Sequence, residues 1–145
     1  MQEPELKPGQ RLIRKSALAY FKDKKILMGR DNKNTEVFIL IGGKIEEDET
    51  AEQCLIREVE EELEVKVESD SIKFLKEFYG PAHGKDKETV LLNIKLFQAD
   101  FIGEPQTTEE IVEIAYFDSQ SDKRHISEIG QKQIFPWLKE NGYIN

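Results

Sequence analysis

The stretch Gly43 to Val65, GKIEEDETAEQCLIREVEEELEV, decides how the chain is read. Ala51, Leu55, Val59 and Leu63 recur at every fourth position behind Glu49 and Thr50, an acid and a cap in the opening turn, and this period predicts one amphipathic helix. The last nine residues, Arg57 to Val65, hold five glutamates. Each helical residue advances about 100°, so Glu58, Glu61 and Glu62, at i, i+3 and i+4, fall in one sector and can converge on a point. They adjoin the apolar arc of Leu55, Val59 and Leu63, while Glu60 and Glu64 point elsewhere. Glu60 reads as ordinary solvated charge.

A glutamate triplet alone is read first as a solvated helix face, because acid-rich helix faces are common. At a half-buried edge, however, three like charges repel and favour a cation, and hard oxygen ligands suit Mg²⁺ or Mn²⁺. Arg57, four residues before Glu61, could orient that side chain instead or as well.

The flanks add information. The spacing is Gly43-x5-Glu49-x7-Arg57-Glu58-Val59-x-Glu61-Glu62-x-Glu64-Val65. It resembles the Nudix box of the Nudix hydrolase superfamily, G-x5-E-x7-R-E-U-x-E-E-x-G-U with U aliphatic. Eight of the nine specified positions match, and Glu64 stands where the family has glycine. At ordinary residue frequencies the six glycine and charged identities would coincide in about one such sequence in ten thousand. A glycine at that position ends the helix in the left-handed conformation, which other residues adopt at a cost, so Glu64 predicts a strained or altered turn.

Outside the box, the 145 residues carry 38% apolar and 34% charged side chains, a globular profile long enough for a sizeable core. One domain over 1–145 is expected, with 1–10 a flexible tail or lead-in strand. No apolar run approaches the roughly 20 residues of a membrane span, and no secretory signal is recognisable, so a cytoplasmic setting is the expectation. A net charge of -8 disfavours binding to a nucleic-acid polymer. Cys54 has no intramolecular partner and reads as packing.

Short apolar segments surround the helix. LIRKSALAYF and KKILMGR, separated by KDK, read as a hairpin; TEVFILI follows the loop DNKN and is ended by Gly42 and Gly43. DNKNTE only superficially resembles a calcium loop, because Lys33 takes a ligand position and the central glycine is missing. Three more strands, SIKFLKEFYG, ETVLLNIKLFQADF and IVEIAYFD, precede a second helix that Pro136 kinks or restarts. Strands around two helices give an α+β, mixed-sheet layered domain. The resemblance sharpens this to a mixed sheet between helices, an α/β/α sandwich.

The resemblance also implies chemistry: metal-dependent hydrolysis of a nucleoside diphosphate linked to another moiety. Glu58, Glu61, Glu62 and a Gly43 carbonyl would be metal ligands. Arg57 would orient carboxylates, and Gly42 and Glu49 would support the site. Arg30 and Lys44 are candidate phosphate contacts, with an ordinary exposed cation as the alternative at each. A general base in several family members comes from the loop before the last sheet strand, here Glu109 or Glu110. The short chain resembles the MutT-like nucleoside triphosphate pyrophosphohydrolases, while Pro81 falls where an ADP-ribose-cleaving group has a proline. A catalytically impaired nucleotide-binding module is the alternative from another class, supported by Glu64. His83 and His125 could titrate near neutrality, and Tyr79, Phe38 and Trp137 could stack on a base or simply pack. The expected partner is a small nucleotide, bound by a monomer or homodimer, with no membrane contact.

Overall fold

A computed structural model describes residues 3–33 and 36–145, apart from the side chain of Lys85. Met1 and Gln2 of the N-terminal stretch, Asn34 of the DNKN loop and Thr35 at the head of TEVFILI therefore lie outside the described residues. Residues 3–10 form no strand; the Gln10 amide closes a turn on the Lys7 carbonyl at 3.0 Å.

The predicted helix is present as α1 (Ala51–Leu63). Thr50 caps it reciprocally: its hydroxyl accepts the Gln53 amide at 3.1 Å, and the Gln53 side chain accepts the Thr50 amide at 2.9 Å. Such a cap contributes about 1 kcal/mol. Leu55, Val59 and Leu63 are fully buried, each contributing roughly 1.5–3 kcal/mol through lost apolar exposure.

Before α1 the chain forms β1 (Arg11–Ala19), β2 (Phe21–Lys22), β3 (Lys25–Asp31), β4 (Ile39–Leu40) and β5 (Gly42–Lys44). After it come β6 (Lys66–Val67), β7 (Lys73–Pro81), β8 (Val90–Gln98), β9 (Phe101–Ile102) and β10 (Ile111–Phe117). One sheet has the order β5-β1-β8-β7, with β1 parallel to β8 and the other pairs antiparallel. A second, antiparallel, has the order β10-β3-β2 with β4 also on β3, and β6 pairs with β9.

Two strand expectations need correction. LIRKSALAYF and KKILMGR do not pair along their length. Ser16 to Ala19 are buried on both faces, so β1 takes an interior place between β5 and β8, and the hairpin shrinks to β2 and the start of β3. Asp23 and Lys24 turn it with φ of 53° and 61°, the left-handed pair that matches strand twist. Second, Gly42 and Gly43 do not end a strand; they make one. A Cβ at Gly42, whose φ is +154°, would collide with the Ser16 carbonyl, so only glycine lets β5 lie this close to β1.

Neighbouring strand residues point to opposite faces. Ala17, Ala19, Ile26 and Met28 join a core with Ile134, Phe135 and Leu138, while Leu18 and Leu27 join another with Leu55, Val59 and Leu63. The strands are therefore covered by α1 on one side and by the C-terminal helical segment on the other, the expected α/β/α arrangement. That segment has a wide π-turn at Gly130–Ile134 and continues as α2 (Phe135–Glu140), with Pro136 at its opening, where a missing N–H is tolerated. Pro136 thus marks a restart. Among the described residues no helix is long and apolar enough to cross a membrane.

Candidate active site

The inner edge of α1 meets β5. Glu62, only 8% exposed, accepts the Gly42 amide at 3.2 Å. Burial, then the like charge of Glu58, push its carboxyl up to about 8, against the pull of that amide. Glu58 lies against Gly43, where a Cβ would run into its carboxyl. Two acids at the foot of a glycine strand, one of them buried with a like charge facing it, form a donor set suited to a hard divalent cation.

Arg57 organises the outer edge. Its Nη2 and Nε reach the two Glu49 oxygens at 2.6 and 3.1 Å, Nη1 reaches Glu58 at 2.6 Å, and Nη2 also donates to the Lys44 carbonyl at 3.3 Å. This grip holds the Glu49 carboxyl well below the usual carboxylate range, helped by the Glu46 amide. Glu61 is 60% exposed and only 3.9 Å from Arg57. Among the described residues no three His, Cys, Asp or Glu side chains are set to hold one ion. The expected convergence of Glu58, Glu61 and Glu62 is therefore not in place: Arg57 engages Glu58, while Glu61 is out in solvent.

The buried thiol of Cys54 donates to the Gly43 and Lys44 carbonyls, both at 3.4 Å, and burial pushes it up to about 11. It packs, as expected, and also pins β5 to α1. Glu60, by contrast, is not merely solvated: its carboxylate accepts the Val67 amide at 2.9 Å and braces the turn after the helix. Glu64 ends the helix at φ 56° and ψ 45°, exposed, with its amide on the Glu60 carbonyl at 3.0 Å. The turn keeps the left-handed form that glycine would give it, and Glu64 bears the strain.

Between the two sheets lies a cleft of about 810 Å³. Gly42, Gly43, Lys44, Glu58, Glu62 and Glu110 line it, Met28, Leu40, Ile94 and Phe135 supply apolar walls, and Pro81, His83 and Ser127 are also among its lining residues. Of the two loop acids, Glu110 lines the cleft and acts on Glu62, whereas Glu109 does not line it and its carbonyl accepts the Asn32 side chain at 2.8 Å. Arg30 is not brought to the cleft, because Glu113 on the adjacent strand holds it at 3.0 Å. His125 sits outside, 3.9 Å from Asp122. Phe38 packs on Phe117, and Trp137 on Phe78 and Tyr143. The Tyr79 hydroxyl lies 3.5 Å from Glu77, and none of the three aromatic rings lines the cleft. Lys15, on β1, does line it; the alternation Ile13-Lys15-Ala17 along one strand face was the available signal.

The family model described as NUDIX domain matches residues 12–138. A solved nudix hydrolase family member from Chromobacterium violaceum is 21% identical, with a TM-score of 0.71 over 90% of this chain and 78% of that one. The MutT NUDIX hydrolase from Burkholderia pseudomallei is 20% identical, with a TM-score of 0.68 over 86% and 99%. A UDP-X diphosphatase is also 20% identical at 0.68, over 92% and 64%. At these identities the likeness is one of fold. Among curated proteins, nothing matches the chain.

Proposed function

Because the chain belongs to the NUDIX domain family, we propose that it is a pyrophosphohydrolase acting on phosphoric anhydride bonds and that its substrate is a nucleoside triphosphate, cleaved to nucleoside monophosphate and pyrophosphate. The cleft carries this reading: its lining brings acids and glycines together with apolar walls, in a volume of about 810 Å³. The family generally uses divalent metal; here the ion proposed is Mg²⁺, with Mn²⁺ as a substitute. Glu58, Glu62 and the Gly43 carbonyl would hold it, with Glu61 joining them only after its exposed side chain turns in from solvent, and it would neutralise diphosphate charge and lower the pKa of the attacking water. The buried Glu62 beside Glu58, and the close approach of the Glu58 carboxyl to the Gly43 backbone, fit that role.

The chain's other groups have distinct tasks. Arg57, fixed by Glu49, positions Glu58. Lys44 contacts a phosphate from the cleft wall. Glu110 takes the proton from the attacking water, and the apolar walls keep bulk water from the bond. ADP-ribose or another nucleotide sugar is the second reading, favoured by Pro81 in the lining of the cleft and by the UDP-X diphosphatase neighbour. The impaired-module reading loses its main support, since Glu64 keeps the helix end intact. We read 1–145 as one domain, acting as a monomer or homodimer; its single thiol suits a reducing, cytoplasmic setting.

A panel of nucleoside triphosphates, ADP-ribose, other nucleotide sugars and dinucleoside polyphosphates, assayed with Mg²⁺ or Mn²⁺ beside Glu61→Gln, tests the proposal. Selective turnover of triphosphates, lost in the variant, is expected. No metal-dependent turnover of any compound would overturn it.

A further inference from the structure

Lys15 and Lys44 face each other as cross-strand partners on β1 and β5, and both line the cleft beside Glu58 and Glu62. Directly opposed residues on paired strands stand about 5 Å apart at Cβ, and like charges there are destabilising. On its other side Lys15 opposes Ile94 of β8, which is buried and also lines the cleft. Such a position accepts the lysine stem, but the ammonium needs water or an anion. Glu62 is within electrostatic reach of Lys15, yet among the described residues neither ammonium has a carboxylate within 4.0 Å, whereas Arg14, Arg30 and Arg57 all do. A half-buried cation, Lys15, opposed to an exposed one, Lys44, in an apolar-walled cleft makes a place for a shared anion.

We propose that Lys15 and Lys44 form a two-ammonium clamp for a phosphate group of a nucleoside diphosphate derivative, with Lys15 a substrate-binding residue in its own right. This rests on the reading of the cleft as a nucleotide site. In a chain of net charge -8, a polyanion entering beside Glu58, Glu62 and Glu110 needs local cations, and the ladder supplies two on one wall. Arg30, already held by Glu113, is not one of them.

The test is calorimetric titration of the full chain with α,β-methylene ATP, a non-hydrolysable probe, in Mg²⁺ and again in chelating buffer, over a range of salt. Lys15→Gln and Lys44→Gln should each weaken binding about tenfold and flatten its salt dependence. Lys15→Arg and Arg30→Gln should stay within about twofold of wild type, and far-ultraviolet circular dichroism should confirm each fold. A lysine that only offsets Glu62 would change thermal stability on Lys15→Gln and leave the affinity within twofold, overturning the clamp. No binding by the wild type in Mg²⁺ overturns it too. If the wild type turns over the substrate panel while Lys15→Gln binds normally, the clamp fails and the enzyme reading stands. If nothing is turned over but binding depends on Lys15, the enzyme reading fails and the clamp stands.

Discussion

Arg57 grips Glu49 through two donors, at 2.6 and 3.1 Å, across eight residues of chain. The fork fixes the guanidinium, and the remaining Nη1 is thereby aimed at Glu58. Arg57→Lys keeps the charge but loses the fork. Activity should fall by about 10–100-fold, as for other losses of groups that orient ligands, with the divalent-ion concentration at half activity shifted upward. Steady-state kinetics over a Mg²⁺ titration measures both.

Glu62 makes stability depend on pH. Its carboxyl sits at about 8 in the folded chain, above its ordinary 4.5, so its contribution is full below about 4.5 and is lost as pH rises towards 8. The window is therefore about 4.5 to 8, and the size roughly a few kcal/mol. In chelating buffer, Glu62→Gln should flatten the fall in unfolding free energy across that window, read from denaturant melts at several pH values. Equal slopes for the two proteins would refute it.

Gly42 and Gly43 should separate fold from site. An alanine Cβ at 42 meets the Ser16 backbone at an unfavourable φ, whereas at 43 the nearest atoms it meets belong to the movable Glu58 carboxyl. Gly42→Ala is expected to lose about 2–4 kcal/mol of stability. Gly43→Ala should melt close to wild type yet lose activity at least about tenfold. Parallel melting and turnover assays decide it.

Glu64→Gly relieves a left-handed residue at an exposed helix end. The gain should be about 0.5–1 kcal/mol, a rise of roughly 2 °C in Tm, after allowing for the more flexible unfolded glycine. Activity should not change, because Glu64 faces away from the cleft.

Local chemistry was legible from residue order. Thr50, the Leu55-Val59-Leu63 period and the Glu58/Glu62 edge follow from helix geometry alone, and α1 begins and ends where those signals place it. What escaped depends on partners distant in sequence. That Arg30 would be neutralised by Glu113, or that Lys15 would oppose Lys44, follows from strand registers which no local pattern encodes. Glu60 was misread for a related reason, since its partner amide at Val67 forms only after the chain leaves the helix. Glu110 separates from Glu109 only once β10 is set against β3.

The parallel ladder between β1 and β8 also bears on how the domain assembles. Arg14 and Asn93, opposed on these strands and 3.4 Å apart through their side chains, are separated by 79 residues, so the ladder closes a large loop before it returns any contact energy. Lys15, the glycine strand and the α1 glutamates all come from one continuous part of the chain. That part can organise locally, whereas the cleft needs the distant strand. Non-local pairing of this kind slows folding, while the acidic edge remains encoded in the short-range half of the molecule.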